Sequence, residues 1–175
     1  IYRENSRGFL GRPTLAGSRQ GLDWSAKFDL ISVSQPDADK AVFVSRDETA
    51  GLEMTAIVSI SAQGLITLAY RVTNVGSTPF NVEELSVWLP IPDYANECLD
   101  FTGRWMNERQ PQRQSIRSGQ WVREGREGRT GHDYTLVQFA LTESTSFEDG
   151  EVWGLSLAWS GNNCHIIEKT AIGQI

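Results

Sequence analysis

Cysteine, histidine and methionine each occur only twice in this 175-residue chain, and that scarcity removes several kinds of chemistry at once. Cys98 and Cys164 are too few to form a disulfide framework in a chain of this size, so both read as reduced thiols. Together with His132 and His165 they are zinc-ligand types. However, there is no Cys-x-x-Cys or His-x-x-x-His pair, and the neighbours Cys164 and His165 would point to opposite faces of a strand. No Gly-x-Ser-x-Gly elbow is present and neither histidine stands in a triad context, which leaves nucleophilic catalysis without support. The glycines at 125, 128 and 131 have the wrong spacing for a dinucleotide fingerprint, and no strand-to-helix transition follows them to cradle a phosphate. No metal and no cofactor is expected.

Long apolar runs are also missing. Nothing approaches the roughly 20 apolar residues of a membrane helix, and no basic start followed by an apolar stretch marks a signal peptide. With so few cysteines, the expected location is cytoplasmic. Positive charge is in deficit, with 16 Lys and Arg against 22 Asp and Glu for a net charge of −6. That balance argues against nucleic-acid or anionic-membrane partners, which require phosphate-neutralising cations. One tract departs from it: arginines stand at 104, 109, 113, 117, 123, 126 and 129, opposed only by Glu108, Glu124 and Glu127. Such a tract could bind phosphates, or form a long hairpin whose guanidinium forks pair with carboxylates of this chain or of a neighbouring domain. The acidic remainder favours the second reading. A retaining glycosidase needs two acids about 5–5.5 Å apart, and among the 22 acidic residues no pair stands out.

What the chain has in abundance is period-two alternation. Met54, Ala56, Val58 and Ile60 alternate with polar neighbours, Ala62–Gln63–Gly64 makes a turn, and Ile66, Leu68, Tyr70 and Val72 resume the pattern as a β-hairpin. After a turn at Asn74–Ser77, the residues Leu85, Val87, Leu89 and Ile91 predict a third strand completing a meander. Upstream, Lys27–Val33 and Ala41–Arg46 flank a turn at Gln35–Pro36–Asp37. Downstream, Thr135 to Leu141 and Trp153 to Trp159 alternate around Glu148–Asp149–Gly150, and Cys164–Lys169 predicts a last strand. No window carries sustained helical spacing with caps, so little helix is expected. At 39% hydrophobic, the composition supports one packed core, and residues 1–175 read as a single all-β domain, an antiparallel sandwich or barrel. Most of the six tryptophans are expected in that core, Trp153 and Trp159 on one strand face. Trp105 leaves the alternating pattern between Arg104 and Asn107–Glu108–Arg109, which leaves open an interface or pocket position on one hand and a core position on the other.

Three ordered blocks then point to a family. Gly11–Arg12–Pro13 with Trp24–Ser25–Ala26–Lys27–Phe28 comes first. Gly103–Arg104–Trp105 through Arg126–Glu127–Gly128–Arg129–Thr130–Gly131–His132 follows, and Gly150–Glu151–Val152–Trp153 with Trp159–Ser160–Gly161–Asn162 closes the set. In this order, over nearly the whole chain, they resemble the β-sandwich domain that precedes the barrel in glycoside hydrolase family 36 α-galactosidases. The resemblance implies a two-sheet antiparallel supersandwich similar to galactose-mutarotase-like domains. It further implies a following (β/α)₈ barrel that carries both catalytic carboxylates for retaining hydrolysis of terminal α-galactosides. Nothing in this chain matches the barrel motifs, so a non-catalytic domain, inactive alone and excised from a larger homo-oligomeric enzyme, is what it implies. The ends, Ile1 and Ile175, fit a cut piece. Loops of this domain lie near the sugar pocket in the family. The matching loops are Pro92–Glu97 and Gly103–Trp105, with Asn96, Arg104 and Trp105 as the pocket-rim residues. An independent carbohydrate-binding or protein-interaction β-sandwich module is the alternative, and a small self-contained hydrolase is a third.

Overall fold

The computed structural model describes residues 2–133 and 135–173, and these form two compact units, Ile1–Leu89 and Pro90–Ile175. Every strand pairing is antiparallel, and among the described residues the only helical element is a single 3₁₀ turn at Asn5–Arg7.

In the first unit, β1 (Leu15–Ser18) pairs with β6 (Asn81–Leu85) as a ribbon, while β2 (Asp29–Asp37), β3 (Lys40–Asp47), β4 (Leu52–Ile60) and β5 (Ile66–Asn74) form a four-stranded sheet in chain order. The alternation of β4 does what period two requires: Leu52, Met54 and Ala56 are buried and their neighbours are not. Leu15 from the ribbon joins Leu52, Met54, Ala50 and Phe28 in the core, with Tyr2, Tyr70, Val72 and Phe80 packed around them. Ribbon and sheet are therefore two layers of one small sandwich.

The expected hairpin of β4 and β5 is present, with Ala56 opposite Tyr70. Its expected continuation is not. The chain after Asn74 turns back on Gly51, whose carbonyl accepts N–H bonds from Val75 at 2.9 Å and Gly76 at 3.0 Å. The Arg19 guanidinium donates to Ala50 O, Asn74 Oδ1 and Thr78 O, so the chain is led out of the sheet and pairs with β1. The third strand is thus Asn81–Leu85 in the ribbon, and Val87 to Ile91 lies outside any strand. The meander gains its extra strands upstream instead. There the turn falls at Ala38–Asp39, not at Gln35–Pro36–Asp37, because Asp37 pairs with Lys40. Pro36 is tolerated within β2 because that strand lies at the sheet edge and its register shifts between Ser34 and Asp37.

The second unit repeats the plan with other strands. A four-stranded sheet runs in the order β11 (Val152–Ser156), β10 (Val137–Leu141), β7 (Glu97–Arg104), β8 (Asn107–Ser115), and β9 (Gly119–Gly125) pairs with β12 (Asn163–Lys169). Cys98 of β7 and Ile167 of β12 are buried together, with Ile91, Ile116 and Trp121 against them. A polar clamp joins the layers. The carboxylate of Asp100, only 3% exposed, accepts from Trp121 Nε1 at 2.9 Å and Arg123 Nε at 2.7 Å, and the Arg123 guanidinium lies 5.3 Å from the Trp121 ring.

The tryptophans are less buried than alternation suggests. Trp24, Trp105 and Trp159 are exposed, and Trp88, Trp121 and Trp153 are half-buried. Trp159 does not share a strand face with Trp153, because β11 ends at Ser156 and leaves Trp159 61% exposed beyond it.

Candidate functional site

Strand β7 carries the predicted rim residues at its two ends. Arg104 closes the strand and Trp105–Met106 are the two loop residues of the β7–β8 hairpin, with Arg104 paired to Asn107. Asn96 precedes the first residue of the same strand. Eight residues at about 3.3 Å each separate Asn96 from Arg104 by roughly 25 Å, so the structure brings Arg104 and Trp105 together and leaves Asn96 elsewhere.

The Asn96 end is closed by internal bonds. Asn96 accepts the Ile116 N–H at 2.7 Å through its carbonyl and places Nδ2 3.4 Å from Glu143 Oε2. Arg113 binds Glu97 and donates to the carbonyls of Glu143 at 3.0 Å and Thr145 at 2.6 Å. Tyr94 donates to Glu151 at 3.1 Å and packs edge-on against Trp153; the carboxylate beside its hydroxyl, with some burial, raises the phenol's pKa. These groups stitch loops to the sheet, although the buried Asn96 Oδ1 accepts no hydrogen bond among the described residues.

The Arg104 end is open. Trp105 is 72% exposed and Met106 82% exposed. Two-residue hairpin loops demand left-handed backbone that Gly or Asn usually supplies, yet Met106 adopts φ 65°. Next to it, Gly103 of β7 faces two residues of β8, Glu108 and Arg109, because the register shifts between Thr102 and Arg104. This is a β-bulge, and Arg109 within it has φ 56°. Two non-glycine residues in the left-handed region within four positions is local strain that the surrounding structure must hold in place, and such strain concentrates at functional positions.

What holds it comes from the chain after β9. A Cβ on Gly103 would lie 2.7 Å from Asn107 O, 2.7 Å from Glu108 Cα and 2.8 Å from His132 O, so only glycine permits the His132 backbone to cross the hairpin there. The His132 and Trp105 rings then meet in a T-shaped arrangement with centroids 5.4 Å apart, and His132 Nδ1 lies 3.5 Å from Glu108 Oε1. The same carboxylate accepts the Met106 N–H at 3.1 Å. Neither histidine carried a functional signal in the sequence. His132 and Gly103 did both fall within the second of the three motif blocks, and their juxtaposition was the part that only folding could reveal.

The arginine tract divides. Arg113, Arg123 and Arg126 form ion pairs with Glu97, Asp100 and Glu124. Arg104, Arg109, Arg117 and Arg129 are exposed and form no ion pair among the described residues. The open end of β7 therefore presents an indole face, a thioether and two uncompensated guanidinium groups. These are the elements of a binding wall, suited to stacking and to hydrogen-bond donation.

Comparison with known proteins gives this geometry a context. The model of the glycosyl hydrolase family 36 N-terminal domain matches residues 1–175. An α-galactosidase of Escherichia coli is 32% identical over 163 residues, which is 93% of this chain and 23% of that protein; α-galactosidase Mel36A of Lactobacillus acidophilus is 26% identical over 167 residues, 94% of this chain and 22% of that protein. The chain thus spans about a quarter of the length of these curated relatives. Among solved structures, the family 36 α-galactosidase AgaB of Geobacillus stearothermophilus superposes with a TM-score of 0.86 at 19% identity, covering 94% of this chain and 26% of its own. A variant of AgaA from the same organism, in complex with raffinose, gives 0.86 at 20% identity, again over 94% and 26%.

Proposed function

Because this chain belongs to the glycosyl hydrolase family 36 N-terminal domain family, we propose that it serves as the non-catalytic accessory domain of an α-galactosidase. In this reading the remaining three quarters of the polypeptide supply a (β/α)₈ barrel that performs retaining hydrolysis of terminal α-galactosides. The present residues brace that barrel and contribute Arg104 and Trp105 to the rim of the sugar pocket. Raffinose, the ligand of the AgaA variant, is an α-galactoside and supports the substrate class. Residues 1–175 are taken as one domain, since a single family model runs across both units without interruption; calorimetry resolving two independent transitions would divide it.

The observation that carries the rim assignment is the strained, exposed hairpin loop of Trp105 and Met106. A domain gains nothing in stability by holding an indole in water over a strained backbone, whereas a wall that orients a sugar and excludes water gains turnover. In the whole enzyme Trp105→Ala should lower kcat/KM for α-galactosides, and in the present chain it should shift stability by no more than about 0.5 kcal/mol, as an exposed side chain would. A marked fall in melting temperature, or full activity of the variant enzyme, counts against the assignment. The purified chain alone should not hydrolyse a chromogenic α-galactoside, because the acid and nucleophile are assigned to the barrel. Turnover that disappears on mutating a carboxylate within these residues would overturn that.

The exposed indole also favours a second reading, an independent carbohydrate-binding module; galactoside binding by the isolated chain with Trp105 fluorescence changes would support it. The whole enzyme is further proposed to be a cytoplasmic homo-oligomer. Two cysteines outside any disulfide suit a reducing compartment, and exposed Leu30, Ile31 and Val33 on edge strand β2 suit a buried contact. No helix among the described residues is long and apolar enough to cross a membrane.

A further inference from the structure

We propose that His132 is a positioning residue for Trp105: together with Glu108 it forms a clasp at the loop end of the β7–β8 hairpin that fixes the indole in the orientation the sugar-pocket rim requires. This rests on the rim reading above and adds to it the part of the molecule that sets the wall.

Three independent contacts converge on the clasp. The His132 ring meets Trp105 at 5.4 Å between centroids with planes 75° apart, the edge-to-face arrangement in which the positive edge of one ring meets the negative face of the other. Glu108 Oε1 lies 3.5 Å from His132 Nδ1 and accepts the Met106 N–H at 3.1 Å, so the carboxylate that holds the loop residue next to the indole also stands beside the histidine. Gly103 leaves room for the His132 carbonyl where a methyl group would lie 2.8 Å away. Nothing else in the described structure touches the Trp105 ring through an aromatic contact. An indole that is mostly in water has several rotamers open to it, and selecting one of them needs a partner. His132 is the aromatic partner, and it arrives from a segment 27 positions later in the chain, which places the clasp under the control of tertiary folding.

The chemistry required is modest. An aromatic wall acts in the ground-state complex as well as the transition state, so loosening it raises KM more than it lowers kcat. A tilted wall misplaces the sugar by a fraction of an ångström, and misplacements of that order cost on the order of tenfold in kcat/KM. Because His132 acts only through Trp105, its effect must vanish when Trp105 is gone.

The test is a double-mutant cycle in the whole α-galactosidase, read by KM and kcat separately, with NMR of the 175-residue chain beside it. His132→Ala should raise KM about 3- to 10-fold with kcat little changed. His132→Phe, which keeps an aromatic edge against the indole, should recover most of that loss, and His132→Ala should add nothing to Trp105→Ala. In the NMR spectrum only two histidines contribute ring-proton signals, and those of His132 should shift in Trp105→Ala as the indole ring current is lost. Wild-type kinetics of His132→Ala beside an impaired Trp105→Ala, or additive losses, would overturn the clasp while leaving the rim reading intact. Full activity of Trp105→Ala would overturn the rim reading and with it the positioning role; a ring-current shift would then show that the contact exists without serving the pocket. Absence of that shift overturns the clasp regardless of kinetics.

Discussion

At the scale of single residues, burial decides which charges matter. Asp100 is buried beneath the second unit's sheet and depends on Arg123 and Trp121 for its hydrogen bonds. Removing one partner of a buried pair leaves the other charge uncompensated, so Arg123→Ala should destabilise the chain by about 3–5 kcal/mol. Arg126→Ala, which removes a solvent-facing pair with Glu124, should leave the melting temperature unchanged. Denaturant melts of the two variants check the contrast. His165 sets a pH dependence of a different origin. Its burial in β12 lowers its pKa from the ordinary 6.5. The unfolded chain therefore takes up the proton first as pH falls, so the stability from keeping this ring neutral is complete above about pH 6.5 and declines as pH drops below it. Melts between pH 7.5 and 5.5 should show that decline, and a His165→Gln chain should show less of it. A steeper slope in the variant would contradict the assignment.

At the scale of elements, the β7–β8 hairpin has both a functional loop and a structural weak point. Gly103→Ala would press a methyl group against three backbone atoms of two other segments, and backbone cannot step aside as a side chain can. The expected cost is about 1–3 kcal/mol, accompanied by displacement of His132 from Trp105, visible as a change in the His132 ring-proton shifts. An unchanged melting temperature together with unchanged shifts would show that the crossing is looser than the geometry indicates. The strands themselves were largely legible: the β4–β5 hairpin was evident from alternation, because period two has no other stable interpretation when one face is buried, and the last strand, expected at Cys164–Lys169, begins one residue earlier at Asn163. The ribbon of β1 and β6 was not, since five residues alternating at Asn81–Leu85 say nothing about a partner more than sixty positions away. Arg19 and the turn at Gly51 make that choice through contacts distant in sequence. Proline misled in one place, because Pro36 looked like a turn and in fact lies within an edge strand.

At the scale of the whole molecule, far-UV circular dichroism should show antiparallel β-structure with a minimal helical signal; a predominantly helical spectrum would be incompatible with the twelve strands described. The sequence by itself determined the all-β class, because alternation is a local property that each segment carries alone. It also determined the family, through three motif blocks whose order survives without any knowledge of contacts. Tertiary structure decided how the candidate site is composed. Asn96 and Arg104 stand eight positions apart on nearly one strand, and an extended backbone turns that short spacing into roughly 25 Å. His132, 27 positions from Trp105, is brought to within 5.4 Å of it by the crossing over Gly103. Proximity in sequence becomes distance along a strand, and proximity in space is created by chain crossings that no local pattern encodes.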